Sequence, residues 1–108
     1  MKELTTILTE IDTLIDAYHT MKLTLVKDQS EILRGLTTNL YFLEAHRIDA
    51  FETWQYRFHD SKAGSAAAKQ RDADYKVPEL YRIRRIMEGG YLVVDSIRST
   101  ISIYKKES

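Results

Sequence analysis

The chain has 108 residues, no cysteine, and sixteen basic against sixteen acidic side chains, with 44 % apolar residues. That length allows one domain with a modest core. The lack of cysteine excludes disulfide frameworks, thiolate metal sites and cysteine nucleophiles, and it fits a reducing, cytoplasmic setting.

No apolar run approaches the roughly 18 residues that a membrane span needs, and the opening MKELTTILTEID is acidic and amphipathic rather than signal-like. The balanced charge is unevenly placed. Residues 1–60 carry six Lys/Arg against ten Asp/Glu, a net of −4, and residues 61–108 carry ten against six, a net of +4. Such asymmetry suits an anionic partner for the C-terminal half, or complementary faces of an oligomer.

Leu4, Ile7, Ile11, Leu14, Tyr18, Met21 and Leu25 recur with alternating spacings of three and four, flanked by Leu8 and Ile15. This predicts a helix over about 2–26 that packs on other helices at shallow angles. Asp28 followed three positions later by Glu31 has the form of a capping box and suggests a second helix start near 29, the alternative being one continuous helix, since neither proline nor glycine stands there. Leu33, Leu36, Leu40, Leu43, Ala50, Phe51, Trp54 and Phe58 then continue at helical spacing. No proline occurs before Pro78. If this helix ran on through the alanines it would reach about 65 Å at 1.5 Å per residue, so Gly64 is the expected break or bend.

Pro78 predicts a restart, because proline fits the first helical turn and drives the residue before it out of the α region. Leu80, Ile83, Met87, Gly90, Val94, Ile97, Ile101 and Tyr104 form the seam of this last helix. Gly89 and Gly90 in its middle each cost roughly 1 kcal/mol relative to alanine, which implies a close helix approach as compensation. Lys105 and Lys106 suit its C-terminal dipole. The fold class is therefore all-α, with long amphipathic helices in an extended hairpin or bundle. It is a single helical domain made of an acidic part over 1–60, a basic alanine-rich stretch over 61–77 and an amphipathic C-terminal helix over 78–106. Seams this long lead us to expect self-association through Leu80, Ile83, Met87, Val94, Ile97, Ile101 and Tyr104.

Catalytic constellations are missing from the sequence. His19, His46 and His59 are scattered, no Glu-x-x-His set supports a di-metal bundle, and there is no phosphate-binding glycine loop or nucleophile elbow. Neither an enzyme nor a metal or cofactor is expected. Charge and aromatics remain. Trp54 and Phe58, four apart, read as core, leaving Tyr56 and Arg57 outward.

The stretch SKAGSAAAKQRDADYK, residues 61–76, spaces Lys62, Lys69, Arg71 and Lys76 among small side chains, and Arg82, Arg84 and Arg85 follow. Cations with little bulk around them let a sugar-phosphate backbone lie close. The alternative is a solvated helix face that meets a neighbouring subunit's carboxylates. Nothing resembles a recognition helix, so sequence-specific readout is not indicated.

The run AAKQRDADY, residues 67–75, resembles the basic K-x-R region of the phage recombination mediators of the UvsY type. Val94-Asp95-Ser96-Ile97-Arg98-Ser99 is similar to that family's L-D-A-I-K-S run in its last helix. The likeness spans about residues 40–104, with the loop before the last helix reduced to a few residues around Pro78. It implies a non-enzymatic accessory protein, a ring-like homo-oligomer that binds single-stranded DNA regardless of sequence. Such a protein helps load a recombinase onto strands covered by single-strand-binding protein, in the host cytoplasm if phage-encoded. Lys69 and Arg71 match the family's two cations. By charge, Lys62, Lys76, Arg82 and Arg85 extend the same path. The competing expectation is an oligomeric coiled-coil interaction protein, such as a phage assembly or anti-defence factor, that binds no nucleic acid.

Overall fold

The structure is a computed structural model that describes residues 2–20 and 26–107, with side chains through Ile103. Four helices make it up: α1 (Leu4–Thr20), α2 (Val26–Asp60), α3 (Ala66–Lys76) and α4 (Pro78–Glu107). There is no strand among the described residues. The molecule is a rod of 61 × 26 × 21 Å. The 35 residues of α2 account for most of its length, at about 1.5 Å each.

Contacts along α2 fix the topology. Leu14 lies against Gly35 and the Lys2 carbonyl against His46, so α1 runs antiparallel to the N-terminal half of α2. Trp54 meets Asp74, which sets α3 antiparallel to the C-terminal half. Leu40 meets Gly90 and Phe51 meets Arg84, so α4 is antiparallel to α2 as well. Tyr18 bonds Ser96 through their hydroxyls at 2.6 Å, and Ile15 faces Gly89, which places α1 parallel to α4. One half of the rod is therefore a three-helix bundle of α1, α2 and α4. The other half is the end of α2 covered by α3 and the start of α4.

A single core runs the length of the rod. Ile7, Leu8 and Ile11 of α1 meet Leu36, Leu40 and Leu43 of α2 and Ile83, Val94 and Ile97 of α4, all buried. These are the residues that the three-four periodicity singled out. At mid-rod α2 and α4 touch nearly backbone to side chain, because a Cβ on Gly90 would stand 3.0 Å from Leu40 Cδ2.

Several boundaries differ from expectation. The first helix ends at Thr20, and Met21 and Leu25 lie outside the described residues. The second begins at Val26, so Asp28 sits inside the first turn, where its charge complements the helix N-terminus, instead of capping it. That helix does not run through the alanines, and the break owes little to Gly64, which has no positive φ and nothing around it within 4 Å. Serines make it. The Ser61 amide donates to the Phe58 carbonyl at 3.3 Å, and the Ser61 hydroxyl accepts the Ala63 amide at 3.3 Å. Side-chain bonds of this kind compete with helix continuation. The Ser65 hydroxyl then accepts the Ala68 amide at 3.1 Å as the N-cap of α3.

The restart at Pro78 is observed. Val77 leaves the helical region (φ −130°, ψ 64°), as a residue before proline should, while its amide still donates to the Ala73 carbonyl at 2.9 Å. Since Val77 is buried, α3 and α4 form an elbow whose corner is pinned in the core.

The expected self-association seam is corrected in one respect. Leu80, Ile83, Met87, Val94 and Ile97 are buried inside the chain, because α1 and α2 already cover that face of α4, and Ile101 is half-buried against the same core. The side chain of Tyr104 lies outside the described residues. A stripe already occupied within the protomer is not offered to a second copy. The large apolar side chains that are exposed lie elsewhere, with Tyr41 and Ile48 on α2 and Leu92 and Ile103 on α4.

Candidate nucleic-acid interface

The predicted cations all fall in the half of the rod built from the end of α2, the 61–65 turn, α3 and the start of α4. They leave their helices in different directions. At 100° per residue, Lys69, Asp72, Ala73 and Lys76 share the face of α3 that turns toward α2, where Ala73 is buried and Lys69 is half-buried. Arg71 leaves the opposite side and is exposed. On α4, Arg82 and Arg84 diverge in the same way, with the exposed Arg85 between them.

Each cation has its own surroundings. Lys76 pairs with Asp72, Nζ to Oδ2 at 3.2 Å. The Ser61 hydroxyl and then Lys76 hold the Asp72 carboxyl below the usual carboxylate range. Lys62 and Lys76 share a shallow hollow with Asp60 and Asp72, so charge there is largely compensated. Arg85 donates to the Tyr81 hydroxyl at 3.3 Å and lies 5.8 Å from the centre of that ring. Arg84 sits 5.6 Å from the centre of the Phe51 ring. Arg71 and Arg82 are exposed and form no ion pair among the described residues.

The aromatic run on α2 divides as expected in part. Phe51, Trp54 and Phe58 form a ladder of stacked rings, with centroids 6.0 and 5.4 Å apart. Each is half-buried, Phe51 and Trp54 against the core. Tyr56 and Arg57 do point outward, the guanidinium 5.9 Å from the ring centre. The Trp54 Nε1 donates to Asp74 Oδ1 at 2.8 Å and ties α3 onto the ladder.

Sequence reasoning left Tyr56 outward but missed Tyr81, which completes a set of open rings. Tyr56, Tyr75 and Tyr81 are 64 %, 85 % and 67 % exposed, each on a different helix of the same half of the rod. The signal available was the i,i+4 spacing of Tyr81 and Arg85, which on a helix places ring and guanidinium side by side.

The predicted histidines do not converge. His46 Nε2 bonds the Lys2 carbonyl at 3.0 Å, while His19 and His59 make edge contacts with Tyr18 and Phe58. Among the described residues no group of three or more His, Asp or Glu is placed to hold a metal ion. No helix among them is long and apolar enough to cross a membrane. The chain matches no protein-family profile, no curated protein and no solved structure.

Proposed function

We propose that this chain is a non-enzymatic accessory protein that binds single-stranded DNA regardless of sequence, acts as a homo-oligomer and helps load a recombinase. The observation that supports DNA binding is the interleaving of open rings with cations in one half of the rod. Tyr56 with Arg57 and Tyr81 with Arg85 are ring-cation pairs, and Tyr75 stands near the exposed Arg71 on α3. Unpaired bases stack on such rings whatever their identity, at about 1–3 kcal/mol per base, while the cations follow the phosphates. The recombinase-loading role rests on the resemblance of residues 67–75 and 94–99 to the UvsY-type mediators. Assembly suits weak contacts, since several copies of one surface on one strand gain affinity by multivalency.

Fluorescence anisotropy with labelled mixed-sequence oligonucleotides, repeated across salt, tests the binding. The expected result is affinity that falls steeply with salt and an equal loss for every sequence in the Lys69→Ala, Arg71→Ala double variant. Salt-independent binding, or none, refutes it. A protein-interaction role without nucleic acid is the second reading. It is favoured by the apolar hollow on the outer side of α2 lined by Tyr41, Phe42, Ala45 and Ile48. Absence of DNA binding together with a stable oligomer selects that reading.

A further inference from the structure

The inner side of the α3–α4 elbow encloses a groove of about 400 Å³, floored by Val77 and Pro78 and walled by Gln70 and Asp74 of α3 and by Tyr81 and Arg84 of α4. Its polar groups are oriented but unfinished. Asp74 accepts the Trp54 indole N–H through Oδ1, and its Oδ2 accepts from no described group. Arg84 is steadied over the Phe51 ring and makes no ion pair. The two opposite charges line one groove without a contact under 4 Å, although closing on one another would neutralise both. What lies between them is room for a ligand with a donor edge, an acceptor edge and a flat face for the Tyr81 ring.

We propose that this elbow groove is a pocket for one unpaired guanine base of a bound single strand. Guanine presents two adjacent N–H donors, N1 and N2, which suit a carboxylate. On its other edge it presents the O6 and N7 acceptors, which suit an arginine fork. Thymine has a single ring N–H donor and no N7. The Gln70 amide, able to donate and accept, completes the rim, and Tyr81 supplies the stacking surface. The proposal rests on the single-stranded DNA reading and adds a local preference to it. Stacking and phosphate contacts hold any sequence, and a guanine that falls at the elbow is held more tightly. The preference comes from groups already fixed by Trp54 and Phe51, so little is lost in ordering them.

Trp54 is the only tryptophan and touches the pocket through Asp74, so its emission reports on occupancy. The probe is a labelled ten-residue oligothymidylate, compared with the same strand carrying one central dG. Wild-type protein should bind the dG strand about tenfold more tightly, as a good bidentate base contact allows, and with a larger change in Trp54 emission. Asp74→Asn keeps an acceptor for the indole but loses the carboxylate. Arg84→Lys keeps the charge but loses the fork. Each should abolish the preference and leave circular dichroism unchanged, and Asp74→Asn should leave oligothymidylate affinity unchanged as well.

Equal wild-type affinities for the two strands, or a preference that survives in Asp74→Asn, overturns the pocket while leaving the DNA-binding reading intact. Should neither strand bind, that broader reading fails and dGMP alone decides the pocket. A saturable Trp54 response to dGMP that dTMP does not give supports the pocket, and its absence overturns it.

Discussion

Lys69 and Arg71 stand two residues apart on α3 and so project about 200° away from one another, Lys69 beside the buried Ala73 and Arg71 into solvent. A single strand passing over the outer side of α3 meets Arg71 directly, whereas Lys69 must reach around the helix. Arg71→Ala is expected to lower single-strand affinity more than Lys69→Ala. It should also reduce the slope of log affinity against log salt by about 0.7, the value for one lost phosphate contact on a single strand. Anisotropy titrations at several salt concentrations measure both quantities. Equal losses in the two variants refute the placement of the strand.

Asp72 links the 61–65 turn to α3 by accepting from Ser61 and pairing with Lys76, and both lower its pKa. A carboxylate whose pKa is depressed in the folded state contributes stability above its unfolded value, near 3.9. That contribution is lost as pH falls through the folded value. Glu10 beside Lys2 and Glu44 beside Arg47 are shifted the same way. The thermal midpoint should therefore hold steady from neutrality down to about pH 5 and drop below it. Asp72→Asn should flatten part of that drop. The same variant frees Lys76 from its ion pair, so at pH 7 it should bind single strands more tightly than wild type. Unchanged affinity shows that Lys76 lies off the path of the strand.

The helices were legible because period and punctuation agree. The spacing of Ile7 and Ile11, of Leu36, Leu40 and Leu43, and of Ile83, Val94 and Ile97 marked the faces that are buried, and Pro78 marked the elbow. The second glycine of the Gly89–Gly90 pair signalled a close approach that Leu40 makes. Which helix covers which face was not legible. Periodicity reports that a stripe is buried and is silent on whether the cover is the same chain or another copy, so the α4 stripe read as an oligomer seam. The end of α2 also escaped, because it depends on the Ser61 and Ser65 hydroxyls capturing backbone amides, where glycine looked the more obvious breaker. At the candidate interface, charge was visible as composition, but its direction around α3 and α4 depends on helix phase, and the Phe51 ring beside Arg84 depends on tertiary packing.

Ile97 is fully buried among α1, α2 and α4, whereas Leu92, on the same helix, is 67 % exposed. Ile97→Glu buries an unpaired carboxylate and should destabilise the fold by on the order of 4 kcal/mol or more, most of what a domain this size has. Loss of helical circular dichroism and of the cooperative melt is the expected result. Leu92→Glu should melt within a few degrees of wild type, and if copies associate through the outward side of α4 it should be the variant that lowers the mass in native mass spectrometry. A folded, monomeric Ile97→Glu protein refutes the assignment of that stripe to the intrachain core.

Gly89 and Gly90 are neighbours in sequence with opposite surroundings. A Cβ on Gly89 would meet Ile15 Cδ1 at 3.7 Å, an ordinary contact, while one on Gly90 would meet the buried Leu40 Cδ2 at 3.0 Å. Both positions gain roughly 1 kcal/mol of helix propensity on substitution by alanine. At position 89 nothing opposes the gain, so Gly89→Ala should raise the thermal midpoint by about 4 °C. At position 90 Leu40 cannot retreat without disturbing Leu36 and Leu43 on the same face of α2, and overpacking of this kind typically costs about 1–3 kcal/mol. Gly90→Ala should therefore lower the midpoint or leave it unchanged, and Gly90→Ala combined with Leu40→Val, which removes a methylene near the clash, should recover part of the loss. A Gly90→Ala protein as stabilised as Gly89→Ala means that α2 and α4 do not approach as closely at mid-rod as Leu40 and Gly90 indicate.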